Sequence, residues 1–194
     1  MEGLVQIDQQ ITLWINQLDI PALFPVWRVF SHVQLWFPAY AAVAGFLLWR
    51  LGWKKGLAVV LSLVLCVVLT DQLANLVKDS VCRPRPCYTP WMLEHGIVLP
   101  SGKVGGDFGF FSGHAANSFG FAIATWLSFR KNDQPHAYKA YGWGVFVWAS
   151  LVALSRIMMG AHYLGDVLTG AAFGLLVGAG IACATRWLIV KAKL

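Results

Sequence analysis

Between Ser155 and Asp166 the chain reads SRIMMGAHYLGD, which sets an arginine, a histidine and an aspartate into otherwise apolar sequence where two hydrophobic spans meet. Ionisable groups are costly inside a bilayer and persist there when chemistry needs them. Asp166 follows His162 by four residues, a spacing that on a helix puts both side chains on one face, so that the carboxylate can accept a hydrogen bond from one imidazole nitrogen. The other nitrogen is then free to act as nucleophile or base. Arg156, six residues upstream of His162 across Gly160, is a permanent planar cation suited to gripping phosphate oxygens in a bidentate way.

Two further polar clusters fall on the same side of the predicted bundle. In KDSVCRPRP, Lys78 to Pro86, the prolines cannot continue a helix, so Lys78 closes a span and Arg85 sits in a stiff turn beside it. Alone, this would read as a snorkelling lysine and a basic interfacial loop. In FFSGHAANSFG, Ser112, Gly113 and His114 open the next span. There a glycine lets backbone approach a ligand, a hydroxyl and N–H groups point at it, and the helix N-terminus favours an anion. Alone, this would read as a helix cap. Together the three clusters supply cations, two histidines and an orienting carboxylate, which is a phosphoryl-transfer set. There is no Walker-type glycine loop and no aspartate cluster suited to a magnesium pair. The expected chemistry therefore uses no metal or other cofactor and proceeds through a phosphohistidine.

Lys78, six residues, Arg85-Pro86, then Ser112-Gly113-His114, then Ser155-Arg156, five residues, His162, three residues and Asp166 resembles the three-part signature of the type 2 phosphatidic acid phosphatase superfamily. In that family membrane lipid phosphatases, glucose-6-phosphatase and vanadium haloperoxidases share one phosphate site. The order and internal spacings agree throughout residues 78–166. The resemblance implies that His162 attacks phosphorus with Asp166 holding it and that His114 protonates the leaving oxygen. It also implies that Lys78, Arg85, Arg156, Ser112 and the Gly113 backbone bind the phosphoryl oxygens. Phe111 stands where the family usually has proline, a residue that mainly shapes the turn. Bacterial members often have six spans, and here the first is reduced to a surface helix.

The elements that must hold these residues are hydrophobic. The 194-residue chain is 58% hydrophobic and 12% charged, with ten tryptophans and mean hydropathy +0.61, too apolar for a soluble domain of this size. Its net charge of +6 comes from basic residues scattered between apolar runs, which fits juxtamembrane anchoring rather than nucleic acid. Residues 57–77, 111–129, 140–159 and 163–190 reach or approach the roughly 20 residues a span requires. Residues 35–49 are short but extend through 27–38. In residues 1–20, Leu4, Ile7, Ile11, Trp14 or Ile15 and Leu18 recur at helical spacing among Asp8, Gln9, Gln10 and Asn16. That pattern predicts an amphipathic helix lying on the membrane, and it lacks the features of a signal peptide. The predicted fold is all-α: a polytopic membrane bundle of about five transmembrane helices plus this interfacial helix, in one domain over 1–194. Gly170, Gly174 and Gly178, spaced by four, predict close helix packing.

Five spans fix the side of every loop. Arg50, Lys54, Lys55, Arg130, Lys131, Lys139, Arg186, Lys191 and Lys193 lie on one side, nine of the 15 basic residues. The motif side carries Arg28, Lys78, Arg83, Arg85, Lys103 and Arg156. By the positive-inside rule the motifs face outward, on the periplasmic side of a bacterial inner membrane. A site at headgroup level favours a lipid phosphate as substrate. Residues 87–110, with Trp91, Met92, Leu93, Ile97, Val98 and Leu99, form a long loop that acts as a substrate lid or covers the bundle end. The loop resembles those of small lipid phosphatases from Gram-negative bacteria, which implies undecaprenyl pyrophosphate or a lipid A phosphate. Phosphatidylglycerol phosphate and phosphatidic acid are the alternatives. A haloperoxidase conflicts with five spans, and a relic site on a scaffold or transporter would not need a complete catalytic set. Cys66 and Cys183 read as packing residues. Cys82 and Cys87 share the outward loop, where an oxidising compartment permits a disulfide but the intervening prolines disfavour its geometry. His32, His95 and His136 have no partner pattern and default to surface positions.

Overall fold

The computed structural model describes residues 2–18, 20–102, 104–129 and 138–193. Lys103, Arg130, Lys131 and His136 lie outside them. The described residues form eight α-helices: α1 (Glu2–Gln17), α2 (Phe24–Ser31), α3 (Phe37–Leu51), α4 (Trp53–Val81), α5 (Pro90–Glu94), α6 (Gly113–Phe129), α7 (Lys139–Met158) and α8 (Leu164–Lys191). The chain is a multi-pass, all-helical membrane protein. Among the described residues three helices, α4, α7 and α8, are by length and composition able to cross a bilayer. The shorter α3 and α6, with 15 and 17 residues, run in the same bundle, α3 along α4 and α6 between α4, α7 and α8.

Helix boundaries follow local chemistry. Proline occupies the first turn of α2, α3 and α5, where its missing N–H costs nothing. Gly52, with φ 79°, turns the chain from α3 into α4. Cys82 ends α4 in the left-handed region, ahead of Pro84 and Pro86. The expected extension of the third helix through residues 27–38 is not one helix. His32 is extended (φ −92°, ψ 101°), and Pro38 starts α3 afresh.

Close packing around α6 carries the architecture. A Cβ on Gly170, Gly174 or Gly178 would lie 2.4, 2.1 and 2.4 Å from the backbone oxygens of Ser112, Ala116 and Gly120. The glycine ladder of α8 therefore faces the small-residue edge of α6, as the spacing predicts. The outer faces of α4 and α8 are apolar: Leu61, Leu76, Leu168 and Leu176 are all more than half exposed. Such a surface belongs in lipid.

Helix α1 lies against the end of the bundle where α7 stops and α8 starts. Leu4 and Trp14 point away, 74% and 64% exposed, while Leu13 and the helix's polar edge are docked. The Asn16 amide donates to the Ile157 and Val98 carbonyls at 3.0 and 3.1 Å, and the Leu164 N–H donates to Thr12 Oγ1 at 2.9 Å. These bonds satisfy groups that helix ends leave unpaired. The 87–110 segment packs beneath it, with Met92 and Ile97 buried against Leu13 and Tyr163, so this segment covers the bundle end. Both loop cysteines are free, Cys82 exposed and Cys87 buried; Cys66 is buried and Cys183 exposed. His32 and His95 are exposed.

Candidate active site

Four helix ends meet beneath α1. The chain leaves α4 and α7 there, with Lys78 and Arg156 in their last turns, and enters α6 and α8 at Gly113 and Leu164. Basic residues suit C-terminal ends, and the two N-terminal ends add donors and positive potential.

His162 is not on a helix, contrary to the expectation from its spacing to Asp166. It lies in the turn before α8, whose N-cap is Tyr163, because Gly160 (φ 65°) breaks α7 and redirects the chain. Asp166 is the third residue of α8, and its Oδ2 accepts the Tyr163 N–H at 3.0 Å. This capping turn, not a helix face, brings Oδ2 to 3.6 Å from His162 Nδ1. The opposite nitrogen, Nε2, faces Arg85 Nη1 at 3.4 Å. The ring thus presents Nδ1 to a carboxylate and Nε2 to a cation. Burial pushes the His162 pKa down to about 4; Asp166 opposes the shift, while Arg156 and Arg85 add to it. That shift favours the neutral imidazole, the state a nucleophile needs.

The other sequence-singled residues surround this ring. Ser112 donates its N–H to the Asp166 carbonyl at 3.0 Å, tying the second motif to the third, and its Oγ faces the Ala115 N–H at 3.4 Å. A Cβ on Gly113 would sit 3.7 Å from Lys78 Nζ. Lys78 has Arg85 and Arg156 as charged neighbours, and His114 has Arg156, His162 and Lys78. All eight residues therefore converge. Arg85 Nε and Arg156 Nε are buried without a hydrogen-bond partner among the described residues. Two guanidinium groups with unused N–H groups, with Lys78 beside them, favour an anion between them. No cluster of three His, Cys, Asp or Glu among the described residues is placed to hold a metal ion.

Several residues at the site were not singled out by sequence. Ser31, at the end of α2, takes a short hydrogen bond from Arg156 to its hydroxyl, and its backbone is a hydrogen-bond partner of His114. Gly109 closes over the pair: a Cβ there would meet Asp166 Oδ2 at 3.2 Å and His162 Nδ1 at 3.4 Å. Arg83 bonds Asp166 Oδ1 at 2.6 Å and Asp8 Oδ2 at 2.7 Å. It was legible only as one more loop cation. Phe111, at the proline position of the signature, follows a cis peptide bond with Phe110. On the membrane side, an apolar cavity of about 580 Å³ between α3, α4, α6 and α7, lined by Tyr40, Leu63, Val67, Phe121 and Trp148, reaches His114 and Asp71.

A family model described as the PAP2 superfamily matches residues 55–189. The chain is 33% identical to a lipid A 4'-phosphatase of Bacteroides thetaiotaomicron over 90% of its length and 75% of the relative's. It is 30% identical to a lipid A 4'-phosphatase of Porphyromonas gingivalis, over 92% and 72%. In fold it is similar to a transmembrane PAP2-type phosphatidylglycerolphosphate phosphatase from Bacillus subtilis, with TM-score 0.73 and 20% identity, covering 97% of this chain and 89% of that one.

Proposed function

This chain belongs to the PAP2 superfamily and is a membrane lipid phosphatase; we propose that it removes a phosphate from lipid A through a phosphohistidine on His162. The reaction rests on one observation: His162 is buried, backed by Asp166 at Nδ1 and faced by Arg85 at Nε2. In the first step the Nε2 lone pair attacks phosphorus while His114, which takes up a proton once the phosphate dianion is bound beside it, gives that proton to the departing lipid oxygen. The N–P bond forms as the P–O bond breaks. In the second step water attacks phosphorus and loses a proton to the now neutral His114. The N–P electron pair returns to Nε2, and inorganic phosphate leaves. Lys78, Arg85, Arg156, Ser112 and the Gly113 N–H hold the equatorial oxygens, where charge builds in the transition state.

The lipid A reading is supported by relatives of that name matching about nine-tenths of the chain, and by an apolar cavity that accommodates an acyl chain beside His114. The Bacillus subtilis relative named phosphatidylglycerophosphatase B matches only 59% of it, which gives less support to a glycerophospholipid. The site is assigned to the periplasmic face of the inner membrane. Phosphate release by the detergent-purified protein from lipid A, undecaprenyl pyrophosphate, phosphatidylglycerol phosphate and phosphatidic acid tests the reading. Lipid A should have the highest kcat/KM, and preference for a glycerophospholipid would overturn the substrate. Exhaustive EDTA treatment should leave turnover unchanged; loss that magnesium restores would overturn the roles given to the three cations.

A further inference from the structure

Asp166 is wholly buried, and a buried carboxylate needs a partner for its charge. The three motif cations surround the phosphate position. The cation hydrogen-bonded to Asp166 is instead Arg83, which lies inside the first cluster, between Lys78 and Arg85, but is not one of its signature residues. Its placement follows from the sequence Arg83-Pro84-Arg85. Pro84 holds the segment extended, and Pro84 bridges Phe108 in antiparallel fashion. The Gly109 N–H donates to the Arg83 carbonyl at 2.9 Å and the Arg85 N–H to the Asp107 carbonyl at 3.0 Å. Residues two apart in an extended chain share a face, so the two arginines bracket one target. Arg85 reaches the Nε2 end of His162 and Arg83 the far oxygen of Asp166.

Arg83 is itself clamped. Its second nitrogen bonds Asp8 Oδ2 at 2.7 Å, and its guanidinium lies 4.0 Å above the Tyr163 ring. Asp8 also accepts the Gly165 N–H at 2.9 Å through Oδ1, so α1 grips both Arg83 and the first turn of α8. We propose that Arg83 is a positioning residue that, anchored by Asp8, fixes the Asp166 carboxylate so that Oδ2 faces His162 Nδ1. The orientation of the nucleophile then depends on α1 being seated. The exposed apolar face of α1, Leu4, Ile7 and Trp14, lies where lipid would hold the helix in place. The inference rests on His162 acting as nucleophile.

The test uses the full chain in lipid A–detergent mixed micelles. Arg83→Gln should lower kcat by about ten- to a hundredfold, the range for loss of an orienting partner. KM and inhibition by inorganic phosphate should not move, because the phosphate ligands are untouched. Arg83→Lys, which keeps the charge but loses the fork, should be intermediate, and Asp8→Asn should lose less. The Asp8→Asn/Arg83→Gln double variant should be no slower than Arg83→Gln alone, as expected of residues acting through one contact. Independently of turnover, histidine NMR should find the His162 ring, identified by its absence in His162→Ala, protonated at Nδ1 in the wild type and mixed between tautomers in Arg83→Gln. Wild-type kcat in Arg83→Gln, or a loss confined to KM, would overturn the proposal. If Arg83→Gln fails to fold, wild-type kcat in both Arg83→Lys and Asp8→Asn would do the same. If the wild type releases no phosphate, the functional reading fails, and an unchanged tautomer in Arg83→Gln or Arg83→Lys overturns the clamp separately.

Discussion

On the proposed mechanism His162 attacks phosphorus only while its lone pair is free, and its surroundings favour that uncharged state. Burial lowers its pKa first, and Arg156 and Arg85 lower it further against the pull of Asp166. Since the neutral form is the reactive one, the competent state exists above a pKa of about 4 and is lost as pH falls through it. NMR of isotope-labelled histidine in the detergent-solubilised protein should find this imidazole still uncharged at a pH where a free histidine is protonated. A His162 midpoint near that of a free histidine would contradict the electrostatics. His162→Ala and His114→Ala should each abolish phosphate release by folded protein, one lacking the nucleophile and the other the acid; turnover by purified His162→Ala would end the mechanism. The eight site residues were legible because each stands in a short motif whose residue types conflict with the lipid around it. Arg83 and Asp8 were not, since their pairing spans 75 positions and neither residue is unusual where it stands. The contact between His162 and Asp166 was legible, but its cause was not: the four-residue spacing fits a helix face and a capping turn equally well.

The elements hold the motifs together through backbone contact. Ser112 immediately precedes α6, which carries Gly113 and His114, and α8 carries Asp166; the two helices touch along Gly170, Gly174 and Gly178. The sequence announced the glycine ladder but could not name its partner, because Ala115, Ala116, Ser118 and Gly120 read as ordinary small residues of a span. Likewise, the polar residues of α1 suggested a water-facing edge, whereas that edge caps the ends of α7 and α8. In a chain so apolar, a polar stripe marks a protein contact as readily as solvent. The ladder makes a clear prediction. A methyl at Gly174 would come within 2.1 Å of the Ala116 oxygen, which is backbone and cannot swing aside, so Gly174→Ala should cost about 1–3 kcal/mol. It should also lower kcat by shifting His114 relative to His162. Gly180, where a Cβ meets nothing within 4 Å, supplies the control. Thermal unfolding in detergent should show Gly174→Ala melting well below the wild type and Gly180→Ala at or above it; equal melting of the two would mean α6 and α8 are not held by this contact.

At the scale of the whole molecule the bundle has two unlike ends, and which end faces which compartment decides the lipid pool the enzyme meets. The motif end gathers the site cations beneath α1. The far end, where α4 begins and α8 finishes, carries Arg50, Lys54, Lys55, Arg186, Lys191 and Lys193 beside the exposed Trp49, Trp53 and Trp187. There Arg50 stacks on Tyr138 and Lys191 on Trp187, at 3.9 and 4.7 Å, as basic and aromatic residues do at a membrane interface. On the proposed reading Lys78, Arg85 and Arg156 hold an anion, and Arg83 pairs with Asp8 and Asp166, so these four weigh little as topological signals. In the proposed orientation the far end is the cytoplasmic one, and a periplasmic site would reach lipid A after its export but not phospholipid intermediates confined to the inner leaflet. Single cysteines at Ser101, exposed near the site, and at Lys54, exposed at the far end, test this in a background without the native four. On intact spheroplasts a membrane-impermeant maleimide should label the Ser101→Cys protein and spare the Lys54→Cys protein until the membrane is permeabilised. The opposite pattern would invert the bundle and confine its substrate to lipid phosphates of the cytoplasmic leaflet.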